Sequence, residues 1–176
     1  QSIVDRIDFS SDTSTASPRG PLASSNGYKA GTGNANFGYF HGGYGGQGYS
    51  KVERIDYSND TATATVVTTF SSPERDRAGA TGDTSFGYFA GGASGNKSSV
   101  QKIDYNNDTA TMSPKGPLSA GRYGLHGGSG RENGLAGDAV PIIPATRTEI
   151  HDTAPVGTDY GYWAAGNNNV GVMRYS

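Results

Sequence analysis

Polar and apolar positions alternate with a period of two through short stretches of this chain, and the stretches themselves recur. Val52, Arg54 and Asp56 alternate with Glu53, Ile55 and Tyr57, so Ile55 and Tyr57 share one face of a predicted strand. The run Thr61 to Val66, TATATV, alternates Thr with Ala and is rich in β-branched residues, which predicts a second strand. Between the two lie Ser58, Asn59 and Asp60. Asn and Asp tolerate positive φ and bond their own backbone, so this segment predicts a tight hairpin turn. The blocks NFGYFHGG at 36–43 and SFGYFAGG at 85–92 predict a short aromatic strand stopped by a glycine pair. The small, glycine-rich segment before the second block, RAGATGD at 77–83, predicts an inner strand packed closely around an axis. No stretch carries a helical period.

The recurrence has a fixed length. VDRIDFSSDTSTASPRGPL begins at Val4, VERIDYSNDTATATVV at Val52 and VQKIDYNNDTATMSPKGPL at Val100, each 48 residues after the last. A degenerate third aromatic block, DYGYWAAG, lies at 159–166. One unit therefore holds about four short strands, the size and content of a propeller blade. The expected architecture is an all-β propeller or open propeller of roughly three to four blades. Residues 1–128 form the repeat region, with units at about 4–51, 52–99 and 100–128, and residues 129–176 form a degenerate final repeat or closing segment. The chain opens at Gln1, inside a unit, and reads as a piece of a longer array. Both ends fall on the third strand of a unit, at Val4 to Ser10 and Val172 to Ser176. Exchange of one terminal strand therefore does not complete a ring, and oligomerisation is one route to closing it.

Composition narrows the chemistry. Hydrophobic residues are only 33% of the chain while glycine supplies 28 residues, so a core must be thin and built from Tyr, Phe, Val, Ile and Ala. Aromatics at 10% and a net charge of −2 argue against disorder, and scattered Lys and Arg give no basic stripe for nucleic acid. There is no cysteine, hence no disulfide framework, thiolate metal site or cysteine nucleophile. No run is long and apolar enough to span a membrane as a helix.

Candidate chemistry is sparse. The paired acids Asp8 and Asp12, Asp56 and Asp60, Asp104 and Asp108 recur in the turn. Calcium loops need more carboxylates than DYSNDT supplies, so these residues read as Asx turns rather than metal ligands. His41, His126 and His151 have no metal-ligand spacing. GGYGGQG at 42–48 is followed by a strand, not by the helix that a phosphate cradle requires. No nucleophile elbow is present. Neither a cofactor nor a catalytic residue is assigned. The candidate ligand-binding residues are Tyr44 and Tyr49, which flank the glycine loop, together with His41 at its start. The second unit has ASGNKSS at that place, so the two tyrosines are not required by the repeat. A loop tyrosine offers stacking area and a hydrogen-bonding tip, which suits glycan and protein surfaces. Tyr39, Tyr88, Tyr162 and Trp163 recur in the aromatic blocks and read as packing.

The aromatic strand with its glycine pair resembles the kelch repeat, although Asp56-Tyr57 and Asp104-Tyr105 reverse the kelch order and the outer-strand tryptophan is missing. Over residues 4 to about 128 the phrases RIDYSNDTATA, SPKGPLSAGRYGL and FGYFAGG resemble the kelch-like tandem repeats of tail-fibre and other virion structural proteins of marine bacteriophages, cyanophages included. Ile103 to Leu125 follow that pattern almost throughout, while residues 129–176 keep only traces, at Ile150, Asp152 and Thr153. The resemblance implies a non-enzymatic virion or extracellular module, homo-oligomeric and joined to other virion subunits, that presents loops to a host-surface glycan or protein. An extracellular filament or matrix protein is the alternative. A polysaccharide-degrading enzyme would need a close carboxylate pair in a pocket.

Overall fold

The computed structural model describes residues 2–11, 13–44, 50–70, 76–93, 95–129, 161–164 and 172–175, the last two stretches as backbone strands only. The fold is all-β. Strands β3 (Ala30–Gly33), β4 (Phe37–His41), β5 (Lys51–Asp56) and β6 (Thr65–Thr69) form one antiparallel sheet in that order. Strands β7 (Gly79–Gly82), β8 (Phe86–Ala90), β9 (Val100–Asp104) and β10 (Ser113–Lys115) form a second with the same order. Corresponding residues pair in corresponding ways: Tyr39 lies opposite Arg54 and Tyr88 opposite Lys102. A two-stranded sheet, β1 (Val4–Arg6) with β2 (Ser17–Arg19), precedes them. A three-stranded sheet follows, β11 (His126–Ser129), β12 (Gly161–Ala164) and β13 (Val172–Tyr175), in which the third aromatic block supplies the middle strand.

The turn between first and second strands is set by one side chain in each full sheet. Asn34 Oδ1 accepts from the N–H groups of Asn36 and Phe37 at 2.9 and 3.0 Å, and Asp83 Oδ1 accepts from Ser85 and Phe86 at 2.7 and 2.6 Å.

The predicted hairpin at 58–60 is corrected by the structure. Tyr57–Asn59 and Tyr105–Asn107 are single turns of 3-10 helix, and the following strand starts at Thr65 rather than Thr61. Two forces redirect the chain. Asp56 Oδ1 caps the helical turn, taking the Ser58 N–H at 2.8 Å and its hydroxyl at 2.7 Å. These bonds hold the Asp56 carboxyl below the usual carboxylate range. Residues 60–64 then bond the preceding unit: the Gly20 N–H donates to Asp60 O at 2.8 Å and the Ala64 N–H to Pro21 O at 2.9 Å. The β-branched run is thus a junction between sheets.

The main core joins the two full sheets. Tyr39, Val52, Phe89 and Ile103 are fully buried, and the Tyr39 and Tyr105 rings stack 4.8 Å apart. Side chains also cross the junction as hydrogen bonds. Thr32 Oγ1 and the Tyr105 hydroxyl lie 2.9 Å apart, and Asp108 Oδ2 accepts from the Tyr39 hydroxyl at 2.9 Å and from Arg54 at 2.7 Å. Asp60, one repeat earlier, takes the corresponding place between Arg6 and Arg19, at 2.8 and 3.0 Å. The adjoining edge strands β3, β7 and β11 need small residues because they approach so closely. A Cβ built on Gly127 would lie 2.0 Å from the carbonyl oxygen of Ala80, and one on Gly82 would lie 2.7 Å from Thr32 Oγ1 and 2.8 Å from the Tyr105 hydroxyl.

Burial pushes the phenols of Tyr39, Tyr57 and Tyr105 upward, with the bond to Asp108 adding to the shift at Tyr39. A raised pKa means that the folded state retains protons that the unfolded state releases. Their contribution is complete below the ordinary tyrosine value of 10.0 and is lost as pH rises beyond it. The urea midpoint is expected to fall as pH rises from about 10 to about 12, less steeply in Tyr105→Phe. An equal slope in the variant would count against this account.

Candidate functional site

Each of β3, β7 and β11 is preceded by one residue in left-handed backbone geometry. These residues are Tyr28 (φ 59°), Arg77 (φ 54°) and Gly124 (φ 67°), and they open the parallel phrases YKAGTG, RAGATG and GLHGGS. Glycine adopts this geometry freely, whereas Tyr and Arg carry a cost of about 1–2 kcal/mol each. A chain of main-chain bonds holds the three in place. The Arg77 N–H donates to Tyr28 O at 3.3 Å, and the Gly124 N–H donates to Arg77 O at 2.8 Å.

A cavity of about 430 Å³ opens at this end of the strands, walled by Tyr28, Arg77, Leu125 and His126 over a floor of Ala30, Gly31, Ala78 and Ala80. The floor is made of the small residues that let the strands approach. On the wall the Arg77 guanidinium lies 4.7 Å from the centre of the Tyr28 ring and 5.9 Å from that of Tyr123. Its Nε stands 3.7 Å from Asp76. Tyr28 is 60% exposed and the Arg77 side chain 40%, so both rings and cation face solvent as well as each other. His126 is exposed at the start of β11.

Behind this wall sits a buried ionic cluster. Lys29, the neighbour of Tyr28, places Nζ 2.7 Å from Glu53 Oε2, and donates to Ser24 Oγ at 3.2 Å and to Gly42 O at 3.3 Å. Ser24 donates in turn to Glu53 Oε1 at 2.7 Å. Glu53 is fully buried. The cluster ties the strand entry at Tyr28 both to β5 and to the loop after β4. Ala78 and Gln101 hold the corresponding places in the second unit.

Of the three residues singled out from sequence, Tyr44 lies outside the lining of this cavity but is joined to the segment that precedes Tyr28. It is 65% exposed and its backbone pairs with Gly27, the neighbour of Tyr28, at 2.9 and 3.2 Å. Tyr49 lies outside the described residues. His41 is corrected from a ligand candidate to a core residue: it is fully buried, stacked on Phe70 at 3.5 Å, edge-on to Phe89 at 5.3 Å, with Nδ1 3.2 Å from Lys51 O. Tyr28, Arg77 and Tyr123 escaped the sequence reading. Their signal was available only by setting the three small-residue strands in register and asking what precedes each.

Among the described residues no group of three or more His, Asp or Glu side chains is placed to hold a metal ion, and no helix is long and apolar enough to cross a membrane. The chain matches no protein-family model, and no curated protein matches it in sequence.

Proposed function

We propose that this chain is a non-enzymatic adhesion module, a propeller-like scaffold whose rim binds a saccharide or protein on a host surface. The observation that carries this reading is the rim itself. A constant frame of small-residue strands and left-handed entries presents different side chains, Tyr28, Arg77 and Gly124, around one cavity. A frame that stays constant while the exposed group changes suits recognition better than structure alone. Cavities of about 300–1,000 Å³ suit small ligands, and stacked tyrosines suit the C–H faces of sugars. The in-register sheets with adjoining inner strands support a propeller, and the resemblance to virion tail-fibre repeats supports a place on a phage particle.

A second reading, assembly into a filament or matrix, is favoured by one observation. Ile7 and Phe9 are 57% and 92% exposed beside β1, whereas Ile55 and Ile103, and Tyr105, are buried at the same repeat positions. The test is a glycan-array screen of the chain, followed by Tyr28→Ala and by Tyr28→Ala with Tyr44→Ala. Loss of one stacked ring is expected to weaken a saccharide hit by about tenfold. A chain that retains no saccharide, and elutes as a broad, concentration-dependent distribution of large masses, would answer to the second reading.

A further inference from the structure

Resting on the adhesion reading above, we propose that the rim cavity selects an anionic, carboxylate-bearing saccharide, with Arg77 as the residue that reads the charge. The geometry carries this one step beyond a generic sugar site. A neutral sugar needs a stacking face and neutral hydrogen-bonding groups, and the exposed Tyr28 ring with its hydroxyl would suffice for it. Here a guanidinium is set into the middle of the aromatic wall, over Tyr28 at 4.7 Å and near Tyr123 at 5.9 Å. Stacking on a ring face fixes the guanidinium plane while leaving its edge able to donate. The carboxylate of Asp76 approaches Nε, at 3.7 Å, beyond hydrogen-bond distance. The two Nη groups therefore stay available for a planar, bidentate oxyanion such as a uronate carboxylate.

Three further features agree. Arg77 occupies a left-handed position that costs energy to maintain with a large side chain, whereas the equivalent position in the next phrase is Gly124. The nearest second cation on the wall, Lys29, is turned into the protein to pair with Glu53 at 2.7 Å, so Arg77 supplies the positive charge at the tyrosine side. His126, exposed on β11, lines the same cavity and adds a ring N–H donor. A pyranose lying on the tyrosines, with its carboxylate toward Arg77, uses each of these groups once.

The test titrates the whole chain with one glucuronate-containing tetrasaccharide and with the same tetrasaccharide after its carboxyl groups are reduced to alcohols. Binding is followed by isothermal calorimetry for wild type, Arg77→Gln and Arg77→Lys. The acidic sugar is expected to bind about 10- to 100-fold more tightly than the reduced one, the difference to vanish in Arg77→Gln, and Arg77→Lys to recover only part of it. The preference is also expected to shrink as salt is raised. Equal affinity for acidic and reduced sugars would overturn charge selection and leave the adhesion reading standing. Binding of neither sugar, with no hit among acidic and neutral glycans on an array, would overturn both. Thermal unfolding of each variant shows whether a loss of affinity is a loss of fold, and a Tyr28→Ala variant that keeps the acidic preference at reduced affinity would support Arg77 as its source.

Discussion

Replacing Glu53 by alanine is expected to destabilise the fold by about 3–5 kcal/mol, a large share of the stability of a typical small domain. The reason lies in what remains. Glu53 is fully buried, and both its oxygens are engaged, by Lys29 at 2.7 Å and by Ser24 at 2.7 Å. Removing it leaves the Lys29 ammonium, only 9% exposed, without its counter-charge. Burying an uncompensated charge costs more than the pair itself contributes. Glu53→Gln keeps one carbonyl acceptor for Lys29 and an amide N–H that the Ser24 hydroxyl can accept, and is expected to lose less although the counter-charge is gone. The second unit suggests the compensating change, since Ala78 and Gln101 stand where the first has Lys29 and Glu53. The pair Lys29→Ala with Glu53→Gln is therefore expected to recover much of what Glu53→Ala loses. Chemical denaturation of the three variants beside wild type supplies the comparison. A cost below about 1 kcal/mol for Glu53→Ala would place this cluster among surface pairs and sink the argument.

The second large effect is expected at the junction between sheets. Asp108→Ala removes the acceptor of the buried Tyr39 hydroxyl, at 2.9 Å, and of Arg54, at 2.7 Å. An orphaned buried hydroxyl costs about 1–3 kcal/mol, while Arg54, 30% exposed, can turn to water and adds little. The expected total is about 2–3 kcal/mol. Asp60 provides the internal control. It holds Arg6 and Arg19 in the same way one repeat earlier, but Arg6 is 56% exposed and no buried hydroxyl depends on the pair. Asp60→Ala is expected to cost less than about 1 kcal/mol. Asp108→Asn keeps an acceptor for Tyr39 and should fall between the two. Denaturant midpoints that rank Asp60→Ala level with Asp108→Ala would show that the repeated carboxylate acts through charge alone.

The architecture was largely legible because it depends on local periodicity. The strands around Ile55 and Ile103, the aromatic strands and the small-residue strand at 79–82 form where alternation and composition put them, but Tyr57, expected on the face of Ile55, lies in the 3-10 turn and is half exposed. The run at 61–66 misled because its β-branched alternation is a local signal, whereas its path is fixed by distant partners such as Arg6 and Pro21. His41 misled for a similar reason: nothing near it in sequence announces that Phe70 and Phe89 will enclose it. The site was the least legible part. Tyr28 and Arg77 hold a backbone geometry that their own preferences oppose, so propensity points away from them. Tyr44 was found because it differs between units, and the same comparison one strand earlier would have found the other two.

The hydrogen-bonded chain from Tyr28 through Arg77 to Gly124 has an evolutionary consequence. Its bonds run through main-chain atoms, at 3.3 and 2.8 Å, so they form with Tyr, Arg or Gly at the position, although a residue other than glycine pays the backbone cost noted above. Mutation at one such position changes the side chain shown at the cavity while the main-chain bonds between the strands persist. Duplicating a unit adds a fresh position of the same kind. Under the adhesion role proposed above, a lineage built on this repeat would change its target one residue at a time, and gain new contacts by copying what it already folds.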